Sequence, residues 1–405
     1  MENLLDNCEW YIKGSVNQFL FSQYIEALYN NSDFEKIIGL YEYLTNEKIV
    51  TEFNVFCKRI YCKTLYSMLK DEETLEKSIN YVDKITFNSE QMPSEKEHFN
   101  QYVNSIKFLV KKIKKSNNPN YDIIYNLLSK LNPDVLSTRE LELVTSEGKD
   151  YINVSSRELY YTLYIKSLVK LEKFDACIAV ADKALKTVDK WNYENDVWIL
   201  SRVHYAKCRL ANNFEEDIRE YIKFAQYKNK WFLYSKIADV HFRQGIIDKS
   251  IFFYAKAIVT ANRNDIEGLV NVLYDFALLI IDKHENIAKK LFILCYQTRE
   301  LNGWNLSPGI KYHVKLLDLI LETKINFKGL QKDIVKLTDM THGELKTYNL
   351  EKNFGFIKMD NGKDIYFKGE KKHIKEYKEK RHVYFDIDFD LNIKKNRAKN
   401  LFFVD

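Results

Sequence analysis

The sequence predicts a mainly α protein that ends in a small β-barrel. Three observations carry this. Glycine (12) and proline (4) are scarce in 405 residues, too few for the turns of a large β-structure. Tyrosine (28) and phenylalanine (25) are abundant and recur at helical spacing through most of the chain. From Gly343 onward the period of the apolar residues falls to two. A hydrophobic share of 46 % with 29 % charged residues is that of a folded chain. The length calls for more than one domain. The change of period puts the boundary after residue 338, with a body of stacked helices over 1–338 and the barrel over 339–405.

Taken in order, the helical units begin weakly. "NNSDFEKIIGLYEYL" (30–44) places Phe34, Ile37, Tyr41 and Leu44 on one face. "TLEKSINYVDKI" (74–85) reads the same way, and "YDIIYNLLSKLNPD" (121–134) is closed by Pro133. The clearest unit is "ELYYTLYIKSLVKLEKFDACIAVADKAL" (158–185), two helices that break near Glu172 and Lys173. Tyr161, Tyr164, Ile165 and Leu168 form one apolar stripe, and Phe174, Cys177, Ala181 and Ala184 form the other. The small residues let the two helices approach closely.

The frame recurs over 198–225 with Tyr205, Cys208, Phe214, Tyr221 and Phe224. Over 231–258 it recurs with Ala238, Gly245, Ile247, Ser250, Tyr254 and Ala257. "ENIAKKLFILCYQ" (285–297) continues the series. About seven to nine pairs are expected over 1–338. One pair cannot bury its own apolar face, so the pairs stack into an α-solenoid, whose groove commonly takes a protein or peptide.

The last part reads as five strands. "GELKTYN" (343–349) comes first. "NFGFIKM" (353–359) and "KDIYFK" (363–368) form a hairpin around Asn361-Gly362. In "HVYFDIDF" (382–389), Val383, Phe385, Ile387 and Phe389 alternate with His382, Tyr384, Asp386 and Asp388. "AKNLFFV" (398–404) is the fifth strand. Five short one-sided strands fit a small closed β-barrel. From Gly343 on there are fifteen Lys and Arg against eleven Asp and Glu, so most of the chain's net charge of +5 sits there. A basic small domain suggests a polyanionic partner.

Two resemblances sharpen this reading. The alternation of bulky and small positions, in units that start at 158, 198 and 231, resembles the tetratricopeptide repeat, whose period is about 34 residues. An irregular α-solenoid of another type is the alternative. "GELKTYNLEKNFGFIKMDNGKDIYFK" resembles the cold-shock domain of the OB-fold class. Gly343, Lys346, Asn349, Lys352, Phe354, Gly355, Phe356, Ile357, Gly362 and Asp364 match that pattern directly, and Tyr348 and Tyr366 are aromatic substitutes. Ala398 and Asn400 match its last strand.

The resemblance implies binding of single-stranded RNA or DNA, with bases stacked on outward aromatics and phosphates met by lysines. It makes Phe354, Phe356, Tyr366 and Tyr348 the stackers, makes Lys346 and Lys352 phosphate contacts, and puts Asn349 in the same motif. Lys358, Lys363, Lys368 and the charged run 369–381 would add cations, although a mixed Lys/Glu run is usually a solvated loop. Four positions depart from the pattern. Thr347 stands for its tryptophan, Asn353 for a glycine, Lys368 for a histidine and Gly369 for a phenylalanine.

Catalytic patterns are absent from the sequence. There is no phosphate-cradling glycine loop, no His-Glu-x-x-His and no Gly-x-Ser-x-Gly. None of the eight histidines has an arginine five to seven residues before it, the spacing of some helical RNases. The six cysteines form no Cys-x-x-Cys pair. No catalytic residue, metal ligand or cofactor is expected. No secretory leader or long apolar run is apparent, which points to the cytoplasm. The expected function is a non-enzymatic adaptor or regulator, with an unidentified protein or peptide in the solenoid groove and single-stranded RNA or DNA on the barrel. The rival is a peptide-sensing regulator whose barrel is an output or protein-contact surface.

Overall fold

In the computed structural model, residues 8–12, 15–89, 100–116, 119–144, 150–210, 212–369, 377, 381–390 and 395–404 are described. Among them are sixteen α-helices, two short two-stranded sheets, β1 (Tyr11–Ile12) with β2 (Ser15–Val16) and β3 (Leu141–Val144) with β4 (Asp150–Asn153), and, last in the chain, one closed five-stranded barrel. The chain divides into two compact units, Met1–Arg202 and Val203–Asp405. Among the described residues no helix is long and apolar enough to cross a membrane.

The first unit contains α1 (Gln18–Asn30), α2 (Phe34–Asn46), α3 (Val55–Asp71), α4 (Leu75–Asn88), α5 (Gln101–Lys114), α6 (Tyr121–Ser129), α7 (Ser156–Lys170) and α8 (Phe174–Thr187). Next comes α9 (Asn195–Leu210). The second unit contains α10 (Phe214–Lys228), α11 (Trp231–Arg243), α12 (Ile247–Thr260), α13 (Ile266–Ile280), α14 (Glu285–Leu301), α15 (Pro308–Leu316) and α16 (Phe327–Ile334).

Several helix pairs are joined by one and the same turn. Ser32, Glu172 and Gly245 each take a positive φ (62°, 56° and 74°) directly after a helix end. In each case the next N–H reaches back to a helix carbonyl: Asp33 to Leu28 at 2.9 Å, Lys173 to Leu168 at 2.8 Å, and Ile246 to His241 at 2.9 Å. A left-handed residue with this bond satisfies a terminal carbonyl and reverses the chain within three residues. The following helix therefore runs back along the first. The expected stripes are buried: Tyr161, Ile165 and Leu168 on α7, and Cys177, Ala181 and Ala184 on α8. On α12, Ser250, Tyr254 and Ala257 are buried, whereas Ile247 is 40 % exposed. Ile247 is the first residue of its helix, so it starts the turn without lying under it.

The barrel consists of β5 (Thr341–Asn349), β6 (Phe354–Met359), β7 (Asp364–Lys368), β8 (His382–Asp390) and β9 (Lys395–Phe403). Its strand order is β5-β6-β7-β9-β8, and β8 pairs back to β5. All neighbours are antiparallel except β7 and β9, which are parallel. This is an OB-like barrel, and closure leaves no strand edge unpaired. Ile357, Ile365, Phe367, Tyr377, Val383, Phe385, Ala398, Leu401 and Phe403 fill its centre. Ile387 continues the inward side of β8 but is 45 % exposed.

The outer side of β8 and β9 is covered by helices of the same unit. Asp386 is buried there and accepts from Lys256 Nζ of α12 at 2.7 Å. The Nδ2 of Asn400 donates to its other oxygen at 2.8 Å. Lys328 of α16 stands 4.3 Å from the ring centre of Phe402. The buried Gln331 side chain ties α16 to the end of α12 by donating to the Ile258 and Ala261 carbonyls, both at 2.8 Å.

Candidate nucleic-acid interface

The candidate face lies on the β6–β7 hairpin. The turn closes with the Gly362 N–H on the Met359 carbonyl and the Met359 N–H on the Lys363 carbonyl, both at 2.8 Å. The register sets Phe354 opposite Lys368, Phe356 opposite Tyr366 and Lys358 opposite Asp364. Alternate side chains on a strand point to opposite faces. Gly355, Ile357, Ile365 and Phe367 go inward and are buried. Phe354, Phe356, Lys358, Asp364, Tyr366 and Lys368 go outward.

Three rings meet on this face. Phe354 and Tyr366 centroids are 5.9 Å apart, and Phe356 lies 6.1 Å from each of them. Phe356 is 37 % exposed, and Phe354 and Tyr366 are half-buried. Gly355 makes the cluster possible from below. A Cβ there would meet the Thr347 carbonyl oxygen and the Phe367 ring. The missing side chain lets Phe367 lie in the core directly beneath the rings.

Cations surround the rings. Lys352, Lys358 and Lys368 are exposed, and none of the three has an ion-pair partner among the described residues. Lys363, in the turn, is exposed as well. Lys346 differs from them: its Nζ pairs with Asp364 Oδ2 at 2.5 Å. Asn349 is also occupied, because its side chain accepts the Lys352 N–H at 2.8 Å and shapes the turn between β5 and β6. Of the charged run 369–381, only Gly369, Tyr377 and Arg381 are among the described residues, so the remaining cations expected there lie outside them.

Tyr348 does not join this face, which corrects its expected place. Leu345 pairs with Ile357 and Thr347 with Phe356, so β5 carries one extra residue at Lys346. Such a bulge shifts the alternation by one position. Thr347 therefore takes the outward place beside Phe356, and Tyr348 turns inward opposite Gly355. The Tyr348 ring lies 4.0 Å from the Tyr377 ring and 5.9 Å from Phe367, and its hydroxyl donates to Asn353 Oδ1 at 2.5 Å.

Asn353 has a positive φ of 52°, a conformation that glycine adopts freely and asparagine tolerates. Its side-chain amide donates to the Gly369 carbonyl at 3.0 Å, and its own carbonyl accepts the Gly369 N–H at 2.9 Å. The asparagine thus keeps the required backbone and adds a clamp between the ends of β6 and β7.

One neighbour escaped sequence reasoning. Arg397 stands next to Tyr366 through the parallel pairing of β7 with β9. Its Nη2 is 3.6 Å from Asp388. No local signal links positions thirty residues apart, since only barrel closure brings them together. In comparisons with known proteins, no family model and no curated protein matches the chain.

Proposed function

We propose that the chain is a non-enzymatic nucleic-acid-binding adaptor or regulator. In this reading the barrel is a cold-shock-like domain that binds single-stranded RNA or DNA, and the helical body is a tetratricopeptide-like solenoid that binds a protein partner. The observation that carries it is the group of three outward rings, Phe354, Phe356 and Tyr366, ringed by Lys352, Lys358 and Lys368. Aromatic rings on an outer barrel face offer stacking surfaces to bases of any identity, and free lysines beside them meet phosphates. The repeated positive-φ turn after α1, α7 and α11 supports the repeat reading of the body.

The test uses the full chain and a mixed-sequence oligonucleotide, followed by fluorescence anisotropy at two salt concentrations. Phe354→Ala and Phe356→Ala are each expected to weaken binding by about 1–3 kcal/mol at both concentrations. Unfolding should be little changed, because both side chains point outward. A double variant that binds as well as the parent would sink the reading and leave the barrel as a protein-contact surface.

A further inference from the structure

The first unit holds a second concentration of positive charge, far in sequence from the barrel. Along α5 and at its C-terminal end, Lys107, Lys111, Lys114 and Lys115 recur at spacings of four, three and one, beside the buried Val103, Ile106, Val110 and Ile113. On α7, Lys166 and Lys170 follow Thr162 at successive helical turns. Arg202 of α9 leans onto α7, where its Nη1 donates to the Thr162 carbonyl at 3.3 Å.

These groups act on one another. Burial, then Arg202 and Lys170, push the Lys166 amine down to about 8. Burial, then Lys166 and Arg202, lower Lys114. Burial, then Lys107, Lys114 and Lys115, lower Lys111. The neighbours that shift these three lysines are all cations. Cations gathered in this way create a local positive field that attracts a polyanion.

Rings lie alongside the cations. The Lys166 Nζ is 5.6 Å from the Tyr121 ring centre, and the Arg202 guanidinium is 5.8 Å from that of Trp198. Tyr125 and Tyr164, both half-buried, stack at 5.3 Å with 8° between their planes. Among the described residues the buried Thr162 hydroxyl has no hydrogen-bond partner; it lies next to the carbonyl that Arg202 holds.

We propose that this face of α5, α7 and α9, built on Lys114, Lys166, Lys170 and Arg202, binds the phosphodiester backbone of single-stranded nucleic acid. Charge complementarity selects a polyanion. The adjoining tyrosines favour a strand with exposed bases over a rigid duplex, because unstacked bases lie against aromatic rings. The assignment stands apart from the barrel reading, and the two are separable by experiment.

The test measures binding of a labelled oligothymidylate to four forms of the full chain across a salt series. These are the parent, the helical variant Lys114→Gln/Lys166→Gln/Lys170→Gln, the barrel variant Phe354→Ala/Phe356→Ala, and the two sets combined. The helical variant should bind about tenfold more weakly at low salt, with a salt slope flatter by about two, since each phosphate contact on a single strand releases close to one counterion. The barrel variant should keep salt-dependent binding that the combined variant loses. Lys114→Gln/Lys170→Gln, confined to exposed side chains, serves if the triple variant unfolds, and should flatten the slope by about one. Parental affinity and slope in the helical variants would overturn the proposal and leave the barrel reading intact. Polyglutamate that displaces the oligonucleotide from the barrel variant at equal charge would assign the face to an acidic protein segment instead.

Discussion

The two outer faces of the barrel make an instructive pair. Both are built from residues that alternate with the core, yet they meet different surroundings. On β6–β7 the outward rings of Phe354, Phe356 and Tyr366 stay accessible, and Lys352, Lys358 and Lys368 beside them have no ion-pair partner among the described residues. On β8–β9 the outward Asp386 is 7 % exposed and paired to Lys256, whose side chain is 4 % exposed. The Lys256 amine also lies 5.1 Å from the Tyr234 ring centre. Strand alternation fixes direction, but it does not fix exposure. A helix laid over one face turns an outward carboxylate into a buried ion-pair member, while the other face stays open to a ligand.

The largest effect expected from this contrast is on the covered face. Lys256→Met leaves Asp386 with Asn400 as its remaining side-chain partner among the described residues, and breaking a buried pair costs about 3–5 kcal/mol. Denaturant unfolding of the full chain would show it. The double variant Lys256→Met/Asp386→Leu should recover most of the loss, because well-packed apolar residues often replace a buried pair at little cost. A single variant as stable as the parent would mean that the helices do not hold this face dry.

Next comes a comparison of inward and outward aromatics. Tyr348→Ala should cost about 3 kcal/mol in stability, since its ring packs on Phe367 and Tyr377. Phe354→Ala should cost far less in unfolding but weaken oligonucleotide binding. Equal stability losses in both would break the assignment of faces that the bulge at Lys346 dictates.

The smallest effects sharpen the open face. Thr347→Trp should strengthen binding by about 1–3 kcal/mol, because Thr347 is exposed beside Phe356 and a ring there adds a stacking place. Lys352→Ala should flatten the salt slope by about one with little change at high salt. If the tryptophan gives no gain, the rings do not form a platform that accepts another base.

Much of this architecture was written in local pattern. Helix pairs follow from apolar stripes such as Tyr161, Ile165 and Leu168, and the hairpin from Asn361-Gly362 between alternating runs. Both are short-range signals, since a helix repeats every three to four residues and a strand every two. Phe354, Phe356, Tyr366, Lys352, Lys358 and Lys368 were legible as one surface because they share a hairpin, where register follows from the turn. Tyr348 was not, because a single extra residue in β5 reverses the side to which it points, and composition does not mark a bulge.

The tertiary structure alone decided three things. Closure of the barrel through parallel β7 and β9 placed Arg397 beside Tyr366. Packing of α12 on the barrel gave the buried Asp386 its partner Lys256. The fold also gathered lysines from α5 and α7 with an arginine from α9 onto one face, although each helix by itself shows only an ordinary charged side. In each case the residues are far apart in sequence, and their meeting depends on how whole elements pack, which no local period encodes.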